Sequence, residues 1–411
     1  MKTDIDGYMA QQKVDALVVL GAAQHNPDMV YFTGIAHMTR AVLLKKRQAE
    51  PVLMHQSMER DEAAKSGFET RNSAAYNQSM LPTESVIKFK QAVHQFCALL
   101  AEFGMTQGRV AVYGFDDIRT SASFLRDIKT IYPAVEILVD GDENILELAM
   151  ATKSAEEVER IQKMGVITAQ VVAEVADFLS GCHAGSQGIE DTHGSVVTIE
   201  RVKRLIDLEL IKRGAENPEG TIFAQGRDAG VPHSTGNPSE VLQPGKNIVF
   251  DIFPCEMGGG YFHDFTRTWS LGYATEENRQ LHQQVLDVYQ MVIRELESGK
   301  PFHTFQQRTC ELFESFGHDT IIHHPMTTSG YVHSLGHGVG LRVHEHPFCV
   351  NQAKELDFLQ PGCVFTIEPG LYYPDLGTGV RIEDTYWMNE QGVIERLVEY
   401  PYDLVIPIKN R

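Results

Sequence analysis

No stretch of the 411-residue chain approaches the roughly 20 uncharged apolar residues that span a bilayer. Its start, MKTDIDGYMAQQK, also lacks the apolar segment of an export signal. Basic residues are scarce as well. The 36 Lys and Arg stand against 55 Asp and Glu, and the net charge of −19 argues against a nucleic-acid or anionic-membrane partner. The six cysteines (Cys97, Cys182, Cys255, Cys310, Cys349, Cys363) form neither a CxxC nor a framework spacing, which suits reduced thiols in a reducing compartment. No glycine-rich phosphate loop follows an apolar strand, so nucleotide binding is not indicated. These absences together predict a soluble, cytoplasmic protein.

What remains is an ordinary globular composition, 43% apolar and 22% charged, with length enough for two domains. Over residues 1–145 apolar strands (14–20, 41–46, 51–55, 109–115, 135–140) alternate with helical stretches, notably 84–103, and predict an α/β domain. The segment HNPDMVYFTG (25–34) reads equally as a loop that shapes a site or as a turn with packed aromatics. A boundary is expected near 140–153. Ser154 with Glu157 three residues later then forms a capping box, opening a helix to about Leu179. A second helix is expected over 188–212, followed by a hairpin. A helix capped by Thr275 to Glu297, another over 303–316 and a second hairpin complete the chain. The order helix, helix, hairpin thus occurs twice over 154–411, which predicts an α+β domain with a pseudo-two-fold duplication.

Each hairpin carries two acids. In IVFDIFPCEMGGGYFHDFTRT, Asp251 and Asp264 flank a glycine turn; with the turn centred on Met257 and Gly258 they stand directly opposite, Cβ atoms about 5 Å apart. In VFTIEPGLYYPDLGTGVRIEDTYW, Glu368 and Glu383 are equidistant from Asp375 and Leu376, and alternation adds Arg381 to the face of Glu383. One pair of facing acids is most often solvated or salt-bridged. Four acids converging in a cleft raise one another's pKa values unless a cation compensates, and a divalent metal pair is the simplest compensation. Seven of the 17 histidines lie between His318 and His346. A lone histidine is usually surface or core, but His337 sits between Gly336 and Gly338, which permits close backbone approach, with His333 and His344 as its positional partners. Carboxylates plus imidazole favour Mn²⁺, Zn²⁺, Co²⁺ or Fe²⁺ over a thiolate-selected metal, and over Mg²⁺ or Ca²⁺.

The motifs FDIF…GGYFHDFTRTW, HSLGHGVGLRVHEHP, FTIEPGLYY and GVRIED together resemble the proline-specific metallopeptidases of the pita-bread fold, the Xaa-Pro aminopeptidases and Xaa-Pro dipeptidases (prolidases). The resemblance covers 154–411 well, and 1–145 is similar to the family's smaller creatinase-type domain only loosely. It implies two divalent metal ions per chain, manganese first among them, with zinc, cobalt and iron as the others. Asp251 would hold one ion, His337 and Glu368 the other, and Asp264 and Glu383 both. A metal-bridging hydroxide would be the nucleophile. Glu368 would act as general base and then acid. His233 in VPHSTGNP would steady the tetrahedral intermediate, His344 would contact the scissile carbonyl, and His333 would line the substrate site. Arg381 and Tyr372 match positions that support ligands and substrate, although an ion pair explains Arg381 equally well and core packing is the default for Tyr372. The implied reaction is hydrolysis of Xaa-Pro bonds at peptide N-termini or in dipeptides, by a homodimer or homotetramer.

Two departures stand out. The hairpin aspartates are 13 positions apart, where the family usually has 11, and Arg342 precedes Val343 where an acid is common, which bears on substrate preference. Other readings of the same residues are a same-fold hydrolase or lyase acting on a small non-peptide, such as an ectoine-type hydrolase or a sulfonium lyase, and a binding module without chemistry. The complete ligand set argues against the module and against a metal-free amidinohydrolase.

Overall fold

The structure, a computed structural model, describes residues 4–77, 88–114, 118–138, 144–350 and 353–409. The beginning of the helix predicted over 84–103, the ends of the strands predicted over 109–115 and 135–140, and positions 140–143 of the expected boundary lie outside the described residues. The chain divides into two units, residues 1–150 with 257–260, and residues 151–256 with 261–411.

The first unit contains helices α1 (Ile5–Gln11), α2 (Pro27–Thr33), α3 (Arg60–Ala64), α4 (Lys88–Glu102), α5 (Ile118–Ile131) and α6 (Ile145–Met150). Its strands are β1 (Ala16–Gly21), β2 (Ala41–Lys46), β3 (Val52–His55), β4 (Glu69–Asn72), β5 (Gly108–Gly114) and β6 (Val135–Leu138), in one sheet ordered β4-β3-β2-β1-β5-β6. β1 runs parallel to β5 and β5 parallel to β6, while β1 and β3 are antiparallel to β2. Val93, Phe96, Cys97 and Leu100 of α4 are buried with Val18 and Val110 of the sheet, as the helical spacing predicts. The 25–34 segment is helical over α2 because Asn26 caps it, accepting from the Met29 amide, and Pro27 occupies the first turn. The polar edge strand β4, ETRN, has no apolar alternation and left no signal.

The second unit opens with α7 (Ala155–Ser180), whose capping box forms as the spacing predicts: the Ser154 amide donates to Glu157 Oε2 at 2.6 Å and the Glu157 amide to Ser154 Oγ at 3.4 Å. After β7 (His183–Ala184) and β8 (Ile189–Glu190) comes α8 (Ile199–Lys212). The expected 188–212 helix therefore starts 11 residues late; Thr198 caps it, and Gly188 at φ 136° sits in a conformation no helix uses. Then follow β9 (Ala215–Glu216), β10 (Thr221–Gln225), β11 (Asn247–Ile252), β12 (Cys255–Glu256), β13 (Phe265–Leu271), α9 (Glu276–Glu295) and α10 (Phe302–Ser315). The rest comprises β14 (His337–Gly338), β15 (Glu345–Phe348), β16 (Val364–Ile367), β17 (Gly370–Tyr373), β18 (Thr378–Arg381), β19 (Asp384–Met388), β20 (Ile394–Arg396) and β21 (Val405–Ile406).

Two sheets, β10-β11-β13-β21 and β15-β14-β16-β19-β20, each turn one face to a helix pair. Ile248, Phe250, Ile252, Phe265, Trp269 and Leu271 share a core with α7 and α8. Phe365, Ile367, Val380, Ile382, Tyr386 and Met388 do the same with α9 and α10. Burying a side chain of this size contributes about 1.5–3 kcal/mol, which fixes the register. Because side chains alternate, Asp251, Asp264, Thr266, Thr268, Thr366, Glu368, Arg381, Glu383 and Thr385 are left on the faces turned away from the two helix pairs.

Candidate metal centre

The first hairpin does not have the predicted register. Asp251 pairs with Thr266 and Cys255 bridges Phe262, so the turn centres on Gly258 and Gly259, both at positive φ (96° and 81°). Asp251 and Asp264 are consequently diagonal rather than opposite. They still share a face, because the shift moves Asp251's partner by two residues. In the second hairpin the predicted register holds: Gly370 pairs with Arg381 and Ile367 with Asp384, which places Glu368 opposite Glu383. These two acids lie in the gap that Pro369 opens between the two ladders, since proline offers no amide.

The hairpins are joined along one line. The Glu383 amide donates to the Thr266 carbonyl at 3.1 Å and the Thr266 amide to the Glu383 carbonyl at 3.4 Å. Beside that bridge, Thr268 Oγ1 donates to the Arg381 carbonyl and accepts from its amide, both at 2.9 Å. The Thr266 hydroxyl also donates to Glu383 Oε2 at 2.7 Å, fixing that carboxylate. The fully buried Arg267 donates to the carbonyls of both Thr266 and Glu383 at 2.9 Å and to Asp384 at 2.8 Å. None of these supports was picked out from the sequence, although the period-two threonines of DFTRT and RIEDT are their signal.

Asp264, His337 and Glu383 each offer a ligand atom, all within 4.8 Å of one another, and Glu368 Oε1 lies 3.5 Å from His337 Nε2. Gly336 and Gly338 admit the His337 segment to this point: a Cβ on either would come within 2.1 Å of a carbonyl, that of Thr366 or His346. His337 Nδ1 lies 3.1 Å from the Gly338 carbonyl, a donor geometry that leaves Nε2 as a lone pair. That lone pair faces two carboxylates at 3.5 Å, Asp264 and Glu368, an arrangement that repels unless a proton or a metal cation sits between them. Asp251 Oδ1 and Glu383 Oε1 are buried without a hydrogen-bond partner. The donor set therefore fits a cation, and its oxygen and imidazole chemistry fits a divalent transition metal.

Electrostatics agree. Burial first, then the charges of Asp251 and Glu368, push the Asp264 carboxyl well above its usual range. Burial likewise lifts Glu383 well above its range and Glu368 to about 8. Burial holds His337 down at about 3, neutral and ready to ligate.

Asp251 is held by Arg381, whose Nη2 lies 2.5 Å from Asp251 Oδ2. Arg381 also donates to the Tyr372 hydroxyl at 2.8 Å and to the Pro232 carbonyl at 3.2 Å, beside the exposed His233. Tyr372 is fully buried, and its hydroxyl lies 2.8 Å from His333 Nε2, while His333 Nδ1 is 2.7 Å from the Ser334 carbonyl. With Nδ1 donating to that carbonyl, Nε2 accepts from the tyrosine, and a directed chain runs from Arg381 through Tyr372 to His333. The His344 ring sits 4.2 Å from that of His337, centroid to centroid.

The family model described as metallopeptidase family M24 matches residues 159–390. The Xaa-Pro dipeptidase of Pyrococcus horikoshii is 26% identical over 406 residues, 97% of this chain and 96% of that protein. That of Pyrococcus furiosus is 31% identical over 257 residues, 62% of this chain; the chain spans about 64% of its length. Among solved structures, the X-Pro aminopeptidase of Thermotoga maritima superposes with a TM-score of 0.74 over 98% of each chain at 21% identity, so the pita-bread fold is shared. No helix among the described residues is long and apolar enough to cross a membrane. The matched region contains both hairpins and the His337 segment, and the chain belongs to metallopeptidase family M24.

Proposed function

We propose that the protein is a dinuclear metal-dependent exopeptidase that hydrolyses the Xaa-Pro bond at peptide N-termini or in dipeptides. The observation that carries this reading is the convergence of buried, proton-retaining carboxylates on the lone pair of His337, a cluster that needs more positive charge than Arg381 supplies. Asp251, Asp264, His337, Glu368 and Glu383 would hold the ions, manganese being the first to test. A divalent pair supplies Lewis-acid polarisation of the scissile carbonyl and lowers the pKa of a water towards neutrality.

The chain's own residues do the rest. Glu368 keeps 14% of its side chain exposed, against 5% for Asp264. It is the acid best placed to take a proton from water and return it to the proline nitrogen. His344 and His233 support the developing oxyanion, and Arg381 and Tyr372 hold Asp251 and His333 in place. The tertiary Xaa-Pro amide lacks an N–H and resists ordinary peptidases, which gives a dedicated enzyme its chemical reason. The relatives named Xaa-Pro dipeptidase support the substrate class. The same reading takes residues 1–145 as a domain distinct from a catalytic domain over 154–411, in a cytoplasmic homodimer or homotetramer.

The test is turnover of Xaa-Pro dipeptides and Xaa-Pro-Yaa tripeptides with added Mn²⁺, with and without a chelator. Chelator-sensitive cleavage is expected, and the ratio of the two substrate classes separates dipeptidase from aminopeptidase. Failure to cleave either by protein that carries metal overturns the reading in favour of a non-peptide substrate.

A further inference from the structure

Next to His344 in the chain, Glu345 forms half of a buried ion pair that the reaction does not use. Lys153 Nζ contacts Glu345 Oε1, with side chains 1% and 7% exposed. The pair is tightly framed. The Lys153 amide donates to the Gly362 carbonyl at 2.7 Å, and the next residue, Ser154, caps α7. Glu345 stands directly opposite Gly338 in the β14-β15 ladder, at a bulge where the partner jumps from Phe348 to Glu345. Its carboxylate lies against Gly340, where a Cβ would come within 2.2 Å of Oε1. The Gly340 carbonyl in turn accepts from the Phe262 amide at 2.8 Å, two residues before Asp264. The turn 340–344 is thus closed at its far end by Glu345, and His344 is the residue just before that closure.

A buried ion pair is weak evidence for stability, because desolvating two charges offsets most of their attraction. Here the case is weaker still, since Glu345 Oε2 has no hydrogen-bond partner. What the pair supplies is geometry: one ammonium, fixed through its own backbone, sets the position of one carboxylate and with it the adjoining turn. We infer that Lys153 and Glu345 are positioning residues that hold the His344 imidazole over His337. The inference rests on the proposed function for its kinetic consequence but not for its structural one.

The double variant Lys153→Met/Glu345→Gln removes both charges at once, which for buried pairs is often close to neutral for folding. In the protein loaded with diamagnetic Zn²⁺ we expect the His344 ring resonances in ¹H–¹⁵N spectra to move while metal content stays at the wild-type level. Turnover of an Xaa-Pro peptide is expected to fall about 10- to 100-fold in kcat with little change in KM, the cost of misplacing a group by about 1 Å. If the double variant does not fold, Glu345→Asp, which shortens the acid while keeping both charges, must move the same resonances. Unmoved His344 resonances in the folded variant, or a rate loss that tracks lost metal, overturn the inference. If the wild-type protein cleaves no Xaa-Pro peptide, the proposed function fails, and the resonances still decide the clamp.

Discussion

Thr385 engages both backbone groups of Asp264 with a single hydroxyl, donating to its carbonyl at 2.7 Å and accepting from its amide at 3.4 Å. Thr385→Val keeps the shape and leaves two buried groups unpaired, at a cost of about 1–3 kcal/mol each. A lower melting temperature and metal affinity weakened about 10- to 100-fold are expected, because a group that orients a ligand is lost. Calorimetry with and without Mn²⁺ reads both, and a variant unchanged in either respect contradicts the role given to the hydroxyl.

Arg381 divides its donors among Asp251, Tyr372, Thr266 and the Pro232 carbonyl. Lysine has neither the reach nor the planar fork to make all four contacts. Arg381→Lys is therefore expected to lower kcat/KM by about 100-fold or more, the scale of losing a charge-assisted contact in a buried site. Tyr372→Phe keeps the Arg381 to Asp251 contact and should cost less. The reverse order in steady-state kinetics would show that the tyrosine, not the guanidinium, organises the site.

Proton competition gives the metal affinity a direction. The folded, metal-free protein holds a proton on Glu368 up to about 8, against 4.5 in the unfolded chain, so this group's contribution to stability is present below pH 4.5 and lost as pH rises through 8. An ion binding there displaces that proton. Mn²⁺ should therefore raise the melting temperature more at a pH of about 8 than at about 6, with proton release in titration calorimetry. An increment independent of pH would place the ion elsewhere.

The opposite sign holds for a histidine outside the proposed ligand set. Burial, then the charge of Arg267, depresses His282 from 6.5 to about 4. As pH falls through 6.5 the unfolded chain takes up a proton that the folded chain refuses until about 4, so this contribution is full above 6.5 and lost below it. His282→Phe should flatten the fall in melting temperature of the metal-free protein between pH of about 7 and 5, all other groups cancelling in the comparison. Parallel curves for the two proteins would rule this out.

The hairpin acids were legible because strand parity survives errors of register. Glu368 and Glu383 stand where their equal distance from Asp375 and Leu376 places them. Asp251 and Asp264 share a face although the turn is centred one residue later than expected. Arg267, Thr266 and Thr385 were not legible, because what they bind is the backbone of the other hairpin, about 115–135 residues away, and no local spacing encodes such a partner. The late start of α8 has a local cause: Gly188 and the short β8 interrupt a segment whose apolar spacing alone reads as helix.

The Thr266–Glu383 bridge, flanked by the Thr268–Arg381 and Thr385–Asp264 contacts, ties the two hairpins along one line, with the candidate ligands gathered beside it. Flexing of one sheet against the other turns about such a joint, so an atom's displacement grows with its lever arm from the joint. Residues at the joint have the shortest arm. Distances among Asp264, Glu368 and Glu383 are therefore the ones that such flexing would change least.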